Sequence, residues 1–173
     1  FNYKGGTISD STGYTVGGIC AYNYSTLNMT DVSLTNCKST YLRDYGYVGG
    51  VNVNTSSTFN FTNSTISDCS GFVGGVTVYS SSRFNFISGT ITKNKSLGTG
   101  ASTSAVGGVY VGSSYCVMTM GTNDTESSDD DDCIISYNEG PVGGVSVISY
   151  STFNFEGGQI VGNKSTVISN YQH

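Results

Sequence analysis

Short runs in which apolar and polar residues alternate recur along the chain. Val51-x-Val53 is followed by Phe59-x-Phe61 and Ile66, and Val76-x-Val78 is followed by Phe84-x-Phe86 and Ile91. A period of two sends alternate side chains to opposite faces, so each run predicts a short strand with one buried face. Long amphipathic helices are disfavoured, because Gly, Ser, Thr, Asn and Val fill the chain while the good helix formers are scarce. No apolar run reaches the length of a membrane span.

The runs belong to a repeat. Val-Gly-Gly begins at Val16, Val48, Val73, Val106 and Val142, at spacings of 32, 25, 33 and 36 residues. Fixed offsets after the Val bring Leu27 and Met29, Phe59 and Phe61, Phe84 and Phe86, and Phe153 and Phe155. Further on come Leu34, Ile66, Ile91 and Ile160, then Cys37, Cys69, Asn94 and Asn163. The fourth copy departs: Met118 and Met120 fit only with a one-residue slip, and an insertion at 121–132 precedes Ile135-x-x-Asn138. Phe1-x-Tyr3 and Ile8 match Phe59-x-Phe61 and Ile66, so the chain opens within a copy. That start, without Met or a visible signal peptide, suits either a processed mature chain or a piece of a longer protein.

Three short strands in about 25 residues bury too little to stand alone. Stacked copies solve this, each strand pairing with its equivalent about 4.8 Å away. The expected fold is all-β: one domain over residues 1–173, a parallel β-helix (solenoid) of about six coils with three short strands per coil. Its length would be about 29 Å. Val51/Val76, Phe59/Phe84, Phe61/Phe86 and Ile66/Ile91 should form inward ladders. The paired glycines fit a corner that needs either positive φ or close backbone approach.

The motifs Gly17-Gly18-Ile19, Gly49-Gly50-Val51, Gly74-Gly75-Val76, Gly107-Gly108-Val109 and Gly143-Gly144-Val145 alternate with Ile91-x-x-Asn94, Ile135-x-x-Asn138 and Ile160-x-x-Asn163. This pattern resembles the repeats of polymorphic outer-membrane proteins and related right-handed β-helix surface proteins. The resemblance spans nearly the whole chain. It implies a right-handed solenoid on a secreted or surface-exposed protein, often an adhesin or a structural appendage. Cys37 and Cys69 depart from it, standing where the pattern has Asn.

Charge changes the picture little. The net charge is −5, but six of the twelve acids lie between Asp124 and Asp132, which leaves a nearly neutral body with one acidic loop. No basic stripe suits nucleic acid. The single histidine is the last residue, His173, so histidine catalysis is not expected. Asp129, Asp130, Asp131 and Asp132 are a candidate calcium ligand set, but they lack the spaced acidic pattern of a known loop, and a solvated loop is the simpler reading. The body acids Asp10, Asp31, Asp44, Asp68, Glu139 and Glu156 place no two carboxylates at matched offsets on adjacent coils. No catalytic residue and no cofactor is expected. Tyr14, Tyr22, Tyr24, Tyr41, Tyr45, Tyr47 and Tyr79 fall mainly in corners and loops, with no clear sugar-stacking ladder.

Stacking would set the Cα atoms of Cys37 and Cys69 near 4.8 Å, within disulfide reach. Cys116 and Cys133 bracket the acidic insertion as a second candidate pair. Cys20 is left unpaired or available to another chain. Glycosylation sequons stand at Asn23, Asn28, Asn54, Asn60, Asn63, Asn94, Asn123 and Asn163. Asn28 and Asn60 should face outward, and Asn54, Asn63 and Asn123 fall in turns or the inserted loop. Asn94 and Asn163 share the Cys37/Cys69 corner, where an inward side chain cannot carry a glycan.

The ends suggest the function. Phe1-Asn2-Tyr3-Lys4-Gly5-Gly6-Thr7-Ile8 matches Phe153-Asn154-Phe155-Glu156-Gly157-Gly158-Gln159-Ile160. One chain's last coil could receive the first coil of the next, with Lys4 over Glu156. The expectation is a non-enzymatic, glycosylated, extracellular subunit that polymerises head to tail with itself. It has no nucleic-acid partner and no membrane insertion. The alternatives are an adhesin that binds glycans or host proteins through its loops, and a polysaccharide-active enzyme.

Overall fold

The computed structural model describes residues 1–44, 46–99, 102–122 and 132–167. The fold is all-β, with no α-helix among the described residues and with strands gathered into three parallel sheets. The largest sheet holds β1 (Asn2–Ser9), β4 (Thr26–Thr35), β7 (Thr58–Thr62), β8 (Ser64–Ser67), β11 (Arg83–Phe86), β12 (Gly89–Thr92), β15 (Val117–Met120), β16 (Cys133–Ser136), β19 (Thr152–Phe155) and β20 (Gln159–Val161). The second runs β18 (Val145–Val147), β14 (Val109–Gly112), β10 (Val76–Tyr79), β6 (Val51–Val53) and β3 (Ile19–Ala21). The third runs β2 (Thr12–Gly13), β5 (Lys38–Ser39), β9 (Ser70–Gly71), β13 (Lys95–Ser96), β17 (Glu139–Gly140) and β21 (Lys164–Ser165).

Each strand pairs with its equivalent in the neighbouring copy of the repeat. Val51 lies beside Val76, Phe59 beside Phe84, Phe61 beside Phe86 and Ile66 beside Ile91. The slipped copy falls into the same register, with Met118 between Phe84 and Phe153. Tyr3 and Ile8 of β1 pair with Met29 and Leu34. The apolar positions of the repeat therefore converge on one core, in which Phe59, Phe61, Phe84, Phe86, Ile66 and Ile91 are fully buried. The Phe59 and Phe84 rings stack at 4.9 Å. Each such side chain contributes about 1.5–3 kcal/mol through burial.

The paired glycines serve close approach and not positive φ. A Cβ on Gly74 would lie 2.6 Å from Gly107 O, and one on Gly75 would lie 2.5 Å from Gly108 O. Positive φ falls instead on a line of other residues. Asp10, Asn36, Asp68, Lys93 and Tyr137 all adopt φ between 52° and 56°, each directly after a strand of the largest sheet. Their N–H groups bond to carbonyls of the next copy, as in Asn36 N–H to Ser67 O at 3.1 Å. Main-chain pairing thus offsets the αL strain of about 1–2 kcal/mol per residue.

Along β6, β10 and β14 the second sheet is covered on both faces. Its inner residues Val51, Val53, Val76 and Val78 join the main core. Its outer residues Asn52, Thr77, Tyr110 and Ser146 are also buried. The segments around Gly46 and Thr103 fold over them, held by Asn52 Nδ2–H to Gly46 O at 3.0 Å and Ser146 Oγ–H to Thr103 O at 2.7 Å. A second apolar cluster of Val48, Phe72, Val73, Ala105, Val106 and Tyr110 fills the space beneath.

Candidate functional site

The corner after the Ile position points inward. Asn94 and Asn138 are fully buried and form a carboxamide ladder with Asn163. Asn138 Nδ2 donates to Ile91 O at 3.0 Å and to Asn163 Oδ1 at 2.9 Å, while Asn138 Oδ1 accepts the Asn94 N–H at 2.9 Å. Both Nδ2 hydrogens of Asn94 are taken, by Ile66 O and Asn138 Oδ1. The sequon at Asn94 is therefore closed to a glycan. Asn163 is half-buried, and its Nδ2 donates to Ile135 O.

Cys37 and Cys69 occupy the same corner at the other end of this ladder. Both are buried thiols. Cys37 Sγ donates to Thr35 O and Cys69 Sγ to Ser67 O, and the neighbouring thiol holds Cys37 below the ordinary thiol pKa and Cys69 above it. Cys116 and Cys133 do not meet, which corrects the expectation that they close the insertion. Cys116 precedes β15 and its thiol donates to Gly112 O, whereas Cys133 opens β16 with its sulfur on Phe86 O. Val117, next to Cys116, lies beside Arg83, and Cys133 lies beside Gly89, so the length of β11 (Arg83–Phe86) separates the two thiols. An extended strand of four residues spans at least about 13 Å at about 3.3 Å per residue, beyond a disulfide's reach of about 7 Å. Cys20 is exposed, and Cys37, Cys69, Cys116 and Cys133 are buried.

Of the remaining sequons, Asn23 and Asn63 are exposed. Asn63 Nδ2 donates to Asp31 at 2.6 Å. Asn28 and Asn60 lie half-buried in a second carboxamide ladder, which runs Asn2–Asn28–Asn60–Asn85 with contacts of 2.6–2.7 Å. The sequence offered this ladder as the shared Asn between the two apolar residues of the Phe-x-Phe motif. Asn54 Nδ2 donates to the Tyr79 hydroxyl at 2.6 Å. Asn123 and Asp129–Asp131 lie outside the described residues, and Asp132 is exposed.

The body acids remain apart. Asp10 is paired with Asn36 at 2.6 Å, and that hydrogen bond holds its carboxyl below the ordinary value. Among the described residues no group of three His, Cys, Asp or Glu side chains could hold a metal ion.

A cavity of about 440 Å³ lies on the outer face of the second sheet. Its floor is built by register. Cys20 pairs with Asn52 across β3 and β6, and Tyr22, Asn54 and Tyr79 follow at the strand ends. Its wall is the segment that precedes the second Val-Gly-Gly, through Asp44, Gly46 and Tyr47, with Thr15 and Val16 alongside its end at Val48. Asp44 accepts the Gly46 N–H at 2.9 Å, which shapes that segment. Tyr14 stacks on Tyr41 at 4.8 Å and Tyr41 meets the Tyr47 ring edge-on at 4.6 Å, with the Arg43 guanidinium over Tyr41. Sequence reasoning missed this grouping because its members come from three copies of the repeat and one insertion.

At the ends, the strands keep their pattern but lose their cover. Phe1 is 74% exposed, Phe155 is 52% and Ile160 is 42%, while the equivalent Phe61 and Ile66 are fully buried. Tyr3 and Phe153 are half-buried, and Lys4 and Glu156 are exposed. Comparison with known protein families, curated proteins and solved structures finds no match.

Proposed function

We propose that the three sheets are the faces of one right-handed parallel β-helix of about six coils, and that the protein is a non-enzymatic extracellular subunit stacking head to tail with itself. In-register pairing from β1 to β19 and β20 supports the winding, since every neighbour in each sheet is the equivalent strand of an adjacent copy. The observation that carries the stacking is the exposed apolar edge at Phe155 and Ile160, facing the same way as the covered edges below it. Such an edge is a template for strand addition. The β1 of a second copy matches it residue for residue. Tyr3 would lie on Phe155, Asn2 would extend the carboxamide line at Asn154, and Lys4 would meet Glu156. Gly6 and Gly158 already share a conformation, with φ of 99° and 96°. A contact between unlike ends generates an open filament. Glycans at the exposed Asn23 and Asn63 would keep filaments apart laterally.

Charge variants test the contact. Lys4→Glu places two carboxylates in register and should shift the protein from polymer to monomer in sedimentation velocity. Lys4→Glu combined with Glu156→Lys restores opposite signs and should restore polymer. A wild-type chain that sediments as a monomer at every concentration overturns the reading.

A further inference from the structure

We infer that the cavity between the Gly46 segment and β3/β6 is a binding site for a neutral saccharide. This reading goes beyond the stacking proposal and does not depend on it, because none of the lining residues lies in β1, β19 or β20, the strands of the stacking contact. A volume of about 440 Å³ falls within the range of small-ligand sites, about 300–1,000 Å³. Its lining combines two chemistries. Tyr22, Tyr47 and Tyr79 supply aromatic rings, and Asn52, Asn54, Thr15 and Asp44 supply carboxamide, hydroxyl and carboxylate groups. A pyranose needs both: ring faces for its C–H faces, and planar amides for its neighbouring hydroxyls. Among the described residues the lining holds one carboxylate and no basic side chain, so it disfavours uronates, sialic acids and phosphorylated sugars.

Asn52 supplies the second, independent observation. Its side chain is 3% exposed, and its Oδ1 has no hydrogen-bond partner. A buried carbonyl left unpaired costs about 1–3 kcal/mol, and a hydroxyl donor delivered into the cavity would satisfy it. The group is pre-set for that task. Asn52 Nδ2 is fixed on Gly46 O, and Asn54 Nδ2 on the Tyr79 hydroxyl, so little side-chain freedom remains to be lost on binding. Tyr22, 51% exposed, stands at the rim where a sugar ring would lie flat against it.

Cys20 gives the test a reporter, since it lines the cavity while the other four thiols are buried. The experiment measures the rate of Cys20 alkylation by iodoacetamide, read by mass spectrometry on the reduced full chain. The probes are glucose, galactose, mannose, N-acetylglucosamine and their β-linked disaccharides, with glucuronate as the anionic control. At least one neutral probe should slow alkylation fivefold or more, with glucuronate having no effect. Tyr22→Ala should abolish that protection, and Tyr150→Ala, at an exposed tyrosine far from the cavity, should leave it intact. Unchanged Cys20 reactivity with every neutral probe overturns the proposal. So does equal protection by glucuronate, or protection that survives Tyr22→Ala. Loss of polymer in the charge variants would leave these rates unaltered, so the two readings fail separately.

Discussion

Replacing Asn138 by Ala should destabilise the protein by about 3–4 kcal/mol. The side chain is fully buried and makes four hydrogen bonds within the corner ladder. Truncation removes the acceptor of the Asn94 N–H and of one Asn94 Nδ2 hydrogen, and the donor to Ile91 O. Asn163 Oδ1 keeps the Asn138 N–H at 3.0 Å, so it is not orphaned. Two buried donors are left unpaired at about 1–3 kcal/mol each, and the lost volume adds a smaller amount. The assay is urea unfolding followed by far-UV circular dichroism, with the midpoint compared at unchanged slope. Asn154→Ala is the control, because that carboxamide is exposed and meets Thr119 at only 3.5 Å; it should change stability by no more than about 0.5 kcal/mol. A loss below about 1 kcal/mol for Asn138→Ala would refute the claim that the corner is held by buried carboxamide bonds.

Phe84→Ala should cost about 3–5 kcal/mol, since the ring is fully buried and stacks on Phe59 and Phe86; urea midpoints check it. Gly75→Ala should destabilise by about 3 kcal/mol, because its Cβ would meet Gly108 O at 2.5 Å; a thermal midpoint equal to wild type would show that the chains do not approach so closely. Cys37 and Cys69 should form a disulfide with oxidised glutathione, each protein pair losing two hydrogens as one glutathione disulfide becomes two thiols. Intact-mass measurement after alkylation in urea reads the result, and two alkylated thiols at these positions would contradict it.

Much of the fold is legible in the repeat because register is a local property multiplied. Once Phe59-x-Phe61 and Phe84-x-Phe86 sit at one offset from Val-Gly-Gly, only one pairing buries both, and the observed ladder is that pairing. The slip at Met118 was equally readable, since pairing tolerates a loop of different length before it. The glycine corner was readable only as a choice. Close approach and positive φ both select glycine, and the chain assigns positive φ to Asp10, Asn36, Asp68, Lys93 and Tyr137 instead. The cavity was illegible for another reason. Tyr22, Asn52 and Tyr79 meet because three copies stack, and Tyr47 joins them because an insertion folds back over the sheet. Offsets within a repeat carry no information about where an insertion lands. The Cys116–Cys133 expectation failed on the same ground, because it treated the intervening residues as a loop when they begin with an extended strand.

Electron microscopy of the purified, concentrated protein tests the central claim most directly. The expected result is filaments with an axial repeat of about 29 Å, six strand spacings of about 4.8 Å, and Phe1 adjoining Phe153 of the next chain. Isolated short rods at high concentration would contradict it.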